Sequence, residues 1–169
     1  MKNARCALIL LLGLPLSALA ADRSTDESFY KMAAEGGISE VELGQLAQEK
    51  SKSPAVREFG AMMVKDHSAA NDMLKKVAMT KGIELPTGSS VTQKAAKAKL
   101  GVLTGDTFDK AYIKGMVSDH KEDIAEFSKE AQSGQDPQAK AFAAAMLPTL
   151  KAHLTKIQAI AAAAGVQTD

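Results

Sequence analysis

Residues 53–82 read SPAVREFGAMMVKDHSAANDMLKKVAMTKG, and this stretch predicts one long amphipathic helix. Its apolar side chains recur at intervals of three and four residues, the spacing that puts them on one face of an α-helix. Ser53 followed by Pro54 is a typical helix start, and Gly82 is a typical helix end. The predicted buried face consists of Val56, Phe59, Met63, His67, Ala70, Leu74 and Val77. The polar ring of His67 therefore stands in the middle of an otherwise apolar face.

Three further stretches show the same periodicity, so the sequence predicts an all-α fold. The first helix is predicted to begin near Ser24, because Ser24–Glu27 fits a capping box. The third is predicted to follow Asp106 as N-cap and to end at Ser133–Gly134, and the fourth to follow Asp136 as N-cap. The other predicted buried faces are Phe29, Met32, Gly36, Glu40, Leu43 and Ala47 on the first helix, Tyr112, Met116, His120, Ile124, Phe127 and Ala131 on the third, and Phe142, Met146, Leu150, His153, Ile157 and Ile160 on the fourth.

Two irregularities interrupt these helices. The pair Gly36–Gly37 on the first helix indicates either a kink or a point of close packing. Pro148 lies inside the fourth helix, where a proline lacks an N–H and clashes with the preceding turn. We therefore expect the fourth helix to be kinked or split at this residue.

The lengths of the connections predict the topology. Four helices with short first and third connections form two antiparallel hairpins, whereas about 25 residues join the second helix to the third, which is long for a tight turn. This crossover carries a predicted short helix at about residues 92–103. We expect an antiparallel four-helix bundle of the ferritin-like type, in which the long connection lets the second hairpin cross over. An up-down-up-down bundle is the alternative, because length alone does not decide between the two.

The first twenty residues resemble a secretory signal peptide. Lys2 and Arg5 provide a basic start, residues 7–16 are largely apolar, and Ala18 and Ala20 are the small residues of a cleavage site. The apolar stretch is too short for a permanent membrane anchor. We therefore predict a signal peptide at residues 1–20 and one bundle domain at residues 21–169. The expected location is the bacterial periplasm, with secretion or peripheral outer-membrane association as alternatives.

Charge and cysteine content exclude several classes of function. The chain has 21 basic and 20 acidic residues, and removal of Lys2 and Arg5 would leave it slightly acidic. This balance predicts no nucleic-acid partner and no attraction to an anionic membrane surface. The single cysteine, Cys6, lies in the predicted signal peptide, so the mature chain has neither a disulfide nor a thiolate metal site. No stretch after Ala20 is apolar enough to span a bilayer, and nothing indicates a protein partner or an oligomeric state.

Several short segments, taken together and in order, resemble a bacterial family of exported proteins of unknown function. They are Phe29 with Ala33–Gly37, Glu40–Gly44, Met63–His67 with Ala70–Asn71, Phe108–Asp109 with Tyr112, Met116 with Asp119–His120, and Leu147–Pro148 with His153–Leu154. Members of that family are predicted to be ferritin-like and are often labelled membrane or outer-membrane proteins. The resemblance implies a helical bundle outside the cytoplasm without an established activity.

Four polar residues stand about midway along the four predicted helices and form a candidate metal site. They are Glu40, His67, His120 and His153. In a four-helix bundle such positions can meet at one level, where a carboxylate and three imidazoles would suit one transition-metal ion such as zinc, copper or iron. Asp66 and Asp119 each precede a histidine in the related strings Met63–His67 and Met116–His120. We expect them to reach across, Asp66 to His120 and Asp119 to His67, and to orient the rings from outside the metal.

The alternative to a metal site is a metal-free polar core. A histidine–aspartate network satisfies buried imidazoles without an ion and removes the cost of about 1–3 kcal/mol for a buried unpaired polar group. The protein would then be a non-catalytic structural or stress-related interaction protein. Met63, Met116 and Met146 lie one or two turns before the histidines. Thioether together with imidazole would suit Cu(I), but methionine on the apolar face of a helix is more often ordinary core filler.

Catalysis is not predicted. A ferritin-type di-iron centre needs Glu-x-x-His on two helices, but Val64, Val117 and Leu150 stand three residues before the histidines. No serine or cysteine nucleophile has a base at a recognisable motif spacing. A metalloenzyme built on the histidines is therefore the weakest of the three hypotheses.

Overall fold

The protein is described by a computed structural model that covers the backbone of residues 16–168 and the side chains of residues 26–168. Within this range the secondary structure consists of five helices: α1 (Leu16–Lys50), α2 (Pro54–Lys81), α3 (Val91–Gly101), α4 (Gly105–Ser133) and α5 (Pro137–Ala163). No strand occurs among these residues, which confirms the predicted all-α class.

Local capping chemistry sets most helix ends where the sequence predicts them. The Ser53 hydroxyl and the Asp136 carboxylate each accept a hydrogen bond from a first-turn N–H, and Gly82 ends α2 with a positive φ of 67°. At α4 the prediction is wrong by two residues. Thr104, not Asp106, is the N-cap residue, and Asp106 lies in the first turn, where its charge suits the helix dipole.

The predicted start of α1 near Ser24 is wrong, because the helix already runs from Leu16 through this position. Residues 16–21 read LSALAA, and such alanine- and leucine-rich sequence extends a helix readily. The predicted cleavage point after Ala20 lies on this helix. Lys2, Arg5 and Cys6 lie outside the described residues, so the signal peptide stays a prediction. Across residues 16–168, no helix is both long and apolar enough to cross a membrane.

The order of the helices follows from two apolar clusters at opposite ends of the bundle. The first cluster joins the end of α1 and start of α2 to the start of α4 and end of α5: Leu43, Ala47, Val56, Phe59, Met63, Phe108, Tyr112, Ile113, Met116, Val117, Ile157, Ile160, Ala161 and Val166. The second cluster joins the other ends: Phe29, Tyr30, Ala33, Ala34, Ala70, Leu74, Phe127, Ala139, Phe142, Ala143, Met146 and Leu150. Helices α2 and α4 are therefore parallel, and α1 and α5 run the opposite way. This is the predicted ferritin-like topology, and it excludes the up-down-up-down alternative.

The crossover returns along the bundle from the second cluster to the first. It contains α3, which packs against α1 and α4. The Glu42 carboxylate on α1 accepts hydrogen bonds from the Ser89 hydroxyl and the Lys97 ammonium, both at 3.2 Å. These contacts fix the crossover to the outside of the bundle, so it leaves the interior to the four long helices.

Glycines bring α1 and α2 close together along their length. A Cβ on Gly60 would lie only 2.6 Å from the Gly44 carbonyl oxygen, and a Cβ on Gly37 would collide with the Asn71 amide. The expected close packing at Gly36–Gly37 is thus present, but it involves Gly37 only. Such close backbone contact fixes the rotation of α1 against α2 and hence which of its side chains face the interior.

The buried face of α1 differs from the prediction in its first half. Met32 and Gly36 are half-exposed, whereas Tyr30 and Ala33 are buried. The Tyr30 hydroxyl donates a hydrogen bond to Asp136 on the opposite hairpin, at 3.1 Å, and this contact helps select the face. On α5, Pro148 lies inside one continuous helix, so the helix is not split there, and the alternative of a kink stays a prediction.

Candidate metal centre

The three histidines meet in the interior between the two apolar clusters. His67 on α2, His120 on α4 and His153 on α5 are 5%, 0% and 1% exposed. Their ring centroids lie 5.4–6.0 Å apart, and each ring offers one nitrogen within 4.8 Å of the nitrogens of the other two. The structure therefore brings together three of the four predicted ligands, because each stands midway along a full-length helix.

Hydrogen bonds on the outer side of two rings determine which nitrogens carry hydrogen. His120 Nδ1 lies 2.9 Å from the Met116 carbonyl oxygen, and His153 Nε2 lies 3.0 Å from Asp66 Oδ2. A carbonyl or a carboxylate oxygen can only accept, so each of these ring nitrogens is the donor. In the neutral rings the hydrogens are thus on the outside, and His120 Nε2 and His153 Nδ1 have lone pairs.

Those two lone pairs face each other. His120 Nε2 and His153 Nδ1 are 3.4 Å apart, and neither has a hydrogen to donate in the neutral form. Two ligands of a tetrahedral ion with metal–nitrogen bonds of 2.0–2.1 Å are separated by about 3.3 Å. In the same group, His67 Nε2 is buried and has no hydrogen-bond partner among the described residues. The arrangement is suited to accepting a cation.

Burial keeps the rings in the ligand form. Desolvation, followed by the neighbouring histidines, lowers the pKa of His67 from 6.5 to about 3. Desolvation, followed by His153, lowers the pKa of His120 to about 4, and desolvation also lowers the pKa of His153 against the opposing effect of Asp66. Neutral imidazole is the form that binds metals, so no proton has to be displaced at neutral pH.

The aspartates adjoining two of the histidines make other contacts than predicted. Asp66 bonds His153 rather than His120, because α2 contacts α5 in the ferritin-like order whereas α4 lies diagonally opposite. Asp119 does not reach His67 Nε2, which has no partner in the part of the chain with described side chains. Burial and the charge of Glu122 raise the pKa of the half-buried Asp119 to about 6.

Glu40 lies on the outer side of His120. Its Oε1 is 3.9 Å from His120 Nδ1, the nitrogen that faces away from the other two rings, and Oε2 has no hydrogen-bond partner among the described residues. Burial, then the charges of Asp123 and Asp119, raise the pKa of Glu40 well above its usual value. Glu40 is not in the group of converging ligand atoms, and its role as fourth ligand stays a prediction.

Two aromatic residues complete the surroundings, and sequence reasoning gave neither of them a role. Phe59 packs edge-on against His120 and His153, with ring centroids 6.2 and 6.4 Å away, and so shields the rings on the side of the first cluster. The Tyr112 hydroxyl is buried without a hydrogen-bond partner in the described structure. Burial, then Glu40 and Asp119, raise the pKa of Tyr112 well above its usual value. The only sequence signal was that an aromatic stands eight residues before both His67 and His120.

Solved structures with this arrangement of helices include proteins of the DUF305 family. The structure superposes on a DUF305 protein from Streptomyces coelicolor, assigned as secreted, with a TM-score of 0.72 and 16% identity over 86% of this chain and 95% of that one. A DUF305 fragment from Deinococcus radiodurans gives a TM-score of 0.71 and 12% identity over 80% and 94%. The Cu(I)-bound form of CopM gives 0.67 and 13% over 80% and 94%. At such low identity the likeness concerns the fold.

Sequence comparison places the chain in a family. Among curated proteins, none matches the chain. The model of one domain family matches residues 14–160, which is nearly the whole of the helical bundle. This agrees with the resemblance to exported proteins of unknown function. The chain belongs to the DUF4142 family, a domain of unknown function.

Proposed function

We propose that this protein is an exported metal-binding protein that holds one soft transition-metal ion, Cu(I) or Ag(I), between His67, His120 and His153. The observation that carries the proposal is the 3.4 Å contact between His120 Nε2 and His153 Nδ1, whose hydrogens are held on the outer sides of the rings. Two nitrogen lone pairs that face each other repel when nothing lies between them. A cation bound between them removes this repulsion.

The charge of the site favours a monovalent ion over Zn²⁺ or Fe²⁺. The three ligand rings are neutral and buried, and Glu40, the buried carboxyl group on the outer side of His120, is itself forced towards its neutral form. Asp66 contacts only the outer nitrogen of His153 and does not face the space between the rings. The cost of burying an ion grows with the square of its charge, so a divalent ion needs anionic ligands that a monovalent ion does not. Imidazole suits copper and zinc alike, and the lack of an ionised ligand among the three rings is what supports Cu(I) over Zn²⁺.

The structural comparison supports the same choice of ion. CopM, which has this fold, is known in a Cu(I)-bound form and in an Ag-bound form, the latter with a TM-score of 0.66 and 14% identity. The low identity means that its ligands cannot be transferred to this chain. What it contributes is that a bundle of this shape can hold a monovalent soft ion.

Export is part of the proposal. It rests on the signal-like sequence of residues 1–20 and on the similarity of fold to a DUF305 protein assigned as secreted. N-terminal sequencing of the protein recovered from the periplasm of a bacterial host should begin at Ala21. Recovery of uncleaved protein from the cytoplasm alone would contradict export without affecting the metal site.

Titration of the untagged protein with Cu(I) under anaerobic conditions, against a competing chelator, tests the metal site. The chain has only three histidines, so no other imidazole can bind. We expect one ion per chain, and loss of that ion in the His120→Ala/His153→Ala double variant. Ser118→Ala is the control, because it changes an exposed residue on α4, the helix that carries His120. This variant should bind Cu(I) like the wild type. Circular dichroism establishes that the variants are folded. Absence of binding to the wild type, or equal binding by the double variant, would contradict the proposal.

A metal-free polar core is the second candidate, and the bond between Asp66 and His153 is the observation that favours it. A carboxylate at this position could support a His153 imidazolium, whose Nδ1–H would then donate to His120 Nε2. Nitrogen-15 chemical shifts distinguish the two states, because an imidazolium has hydrogen on both nitrogens. An imidazolium signal at neutral pH, with no change of Tm on adding Cu(I), would establish the structural function instead.

A further inference from the structure

We propose that a small cavity beside His67 is the passage through which the metal ion reaches the histidines. The cavity has a volume of about 20 Å³ and lies among α1, α2, α4 and α5. A space of about 10–15 Å³ is enough for one water molecule, so one ion with little or no hydration fits. This inference rests on the proposed function and adds the route by which the same site is loaded.

The cavity leads from half-exposed to buried residues. Gly36, Asn71 and Asp123 line it and are half-exposed, so they form its mouth. His67 and Met146 also line it and are only 5% and 8% exposed, so they form its inner end. Among the three histidines only His67 lines this space. It therefore connects the solvent side of the bundle with one of the proposed ligands.

The chemistry of the lining changes along the same direction. The Asn71 amide and the Asp123 carboxyl group at the mouth are oxygen donors, which can replace part of the hydration shell of an arriving cation. The thioether of Met146 and the imidazole of His67 at the inner end are softer donors, which suit Cu(I) and Ag(I). His67 Nε2 has no hydrogen-bond partner among the described residues, so its lone pair is not occupied by the protein itself.

Gly36 gives a second, independent indication that this cavity is a passage. Glycine inside a helix costs about 1 kcal/mol relative to alanine. Close packing explains Gly37, whose Cβ would collide with Asn71, but a Cβ on Gly36 would meet no atom within 4 Å. Packing therefore does not require glycine at position 36. An open mouth requires a small residue there, because a side chain much longer than a methyl group would extend into the space that leads to His67.

The test compares Gly36→Leu with Gly36→Ala and with Gly115→Leu. Gly115 is a matched control, since it is also a helical glycine whose Cβ would meet nothing within 4 Å, and it does not line the cavity. Stopped-flow measurement of Ag(I) loading should give a rate about tenfold lower for Gly36→Leu, equal to a barrier about 1.4 kcal/mol higher. Gly36→Ala and Gly115→Leu should load at the wild-type rate.

A blocked passage has a further signature. Ag(I) release from Gly36→Leu should slow by the same factor as loading, so the Kd should stay unchanged. Met146→Leu, which conserves volume and removes the thioether, is the second variant in case Gly36→Leu does not fold. It should also slow Ag(I) loading. Equal loading rates in wild type, Gly36→Leu and Met146→Leu would overturn the passage. Failure of the wild type to bind Ag(I) at equilibrium would instead overturn the proposed function.

Discussion

Two polar clusters, one buried and one partly exposed, occupy different levels of the same bundle, and they are built in opposite ways. Near one end, a terminal polar cluster consists of Asp26, Tyr30, Lys81, Glu130 and Asp136. Asp26 accepts hydrogen bonds from the backbone N–H groups of residues 135 and 136, at 3.1 and 2.8 Å. Asp136 accepts from the Tyr30 hydroxyl at 3.1 Å and pairs with the Lys81 ammonium at 2.7 Å. These bonds join α1 and α2 to the turn between α4 and α5.

The histidine cluster in the middle of the bundle does not close its hydrogen bonds. His67 Nε2, Glu40 Oε2 and the Tyr112 hydroxyl have no partner among the described residues, whereas the terminal polar cluster has one such atom, Glu130 Oε1. Buried polar groups in proteins are almost always paired. The difference teaches that the terminal cluster stabilises the fold, whereas the histidine cluster costs stability, which a bound metal ion would return under the proposed function. Each of the following changes tests that contrast.

Asp26→Ala should have the largest effect and should act on stability alone. It leaves two backbone N–H groups unpaired, and we expect a loss of about 2–4 kcal/mol in the free energy of unfolding. Urea denaturation measures this loss, and Cu(I) titration should give an unchanged Kd. Glu27→Ala is the control, because Glu27 only forms an exposed pair with Lys31. A large change in metal affinity in Asp26→Ala would remove the distinction between the clusters.

Asp66→Asn should act mainly on metal affinity. The neutral amide no longer draws the His153 Nε2 hydrogen as strongly, so the ring becomes a weaker ligand, and we expect the Kd for Cu(I) to rise about 10–100-fold. Competition titration measures the Kd, and Asp72→Asn, an exposed change on the same helix, should leave it unchanged. An unaltered Kd in Asp66→Asn would show that the bond to His153 serves the fold only.

His67→Leu should increase the stability of the metal-free protein. It replaces a buried ring with an unpaired nitrogen by an apolar side chain, and we expect a gain of about 1 kcal/mol in the free energy of unfolding. We expect Cu(I) to raise the Tm of the wild type, and this rise should be lost in the same variant. Thermal unfolding with and without Cu(I) measures both effects. A loss of stability would mean that the ring is satisfied in the free protein, contrary to the contrast drawn above.

Glu130→Gln should have the smallest effect when unfolding is compared between pH 7 and 8, and this effect depends on pH. Burial, then Asp26, raise the pKa of Glu130 from 4.5 to about 7. The folded state therefore retains a proton that the unfolded state releases, and stability falls as pH rises from about 4.5 through 7. The last part of this fall, between about pH 7 and 8, amounts to a few tenths of a kcal/mol. Glutamine stays neutral, so the variant should lack this loss.

Urea denaturation at the two pH values measures the difference, with Glu126→Gln, an exposed change one turn earlier, as control. The same dependence on pH in Glu130→Gln and the wild type would show that another group is responsible.

Most helix ends and the convergence of the histidines could be predicted from sequence, but the hydrogen-bond partners of the histidines could not. Capping at Ser53, Gly82 and Asp136 depends only on residues that are close in sequence, so it could be predicted without the tertiary structure. The heights of His67, His120 and His153 follow from counting residues along helices of similar length. By contrast, the prediction that Asp66 meets His120 was wrong, because it required knowing which helices are neighbours.

The same limit explains the first half of α1. Periodicity predicted a face with Met32 and Gly36 inside, whereas close packing of Gly37 on Asn71 and the bond from Tyr30 to Asp136 select a slightly rotated face. The predicted face of α1 and the slightly rotated face that is observed are nearly equal in apolar content. Contacts with other helices therefore decide which of the two is buried. The open space at Gly36 follows from that rotation and has no counterpart in the sequence pattern.

The amino-acid sequence alone determined the all-α class, most helix ends, the long connection between α2 and α4, and the positions of three imidazoles midway along their helices. These features depend on backbone hydrogen bonds, capping and apolar periodicity, which act over a few residues. Only the tertiary structure decided which ring nitrogens carry hydrogen, that Glu40 lies behind His120, and that a cavity leads to His67. Those features depend on the order and rotation of whole helices. A shift or rotation of a helix by less than one turn already changes which atoms lie within hydrogen-bond distance of each other.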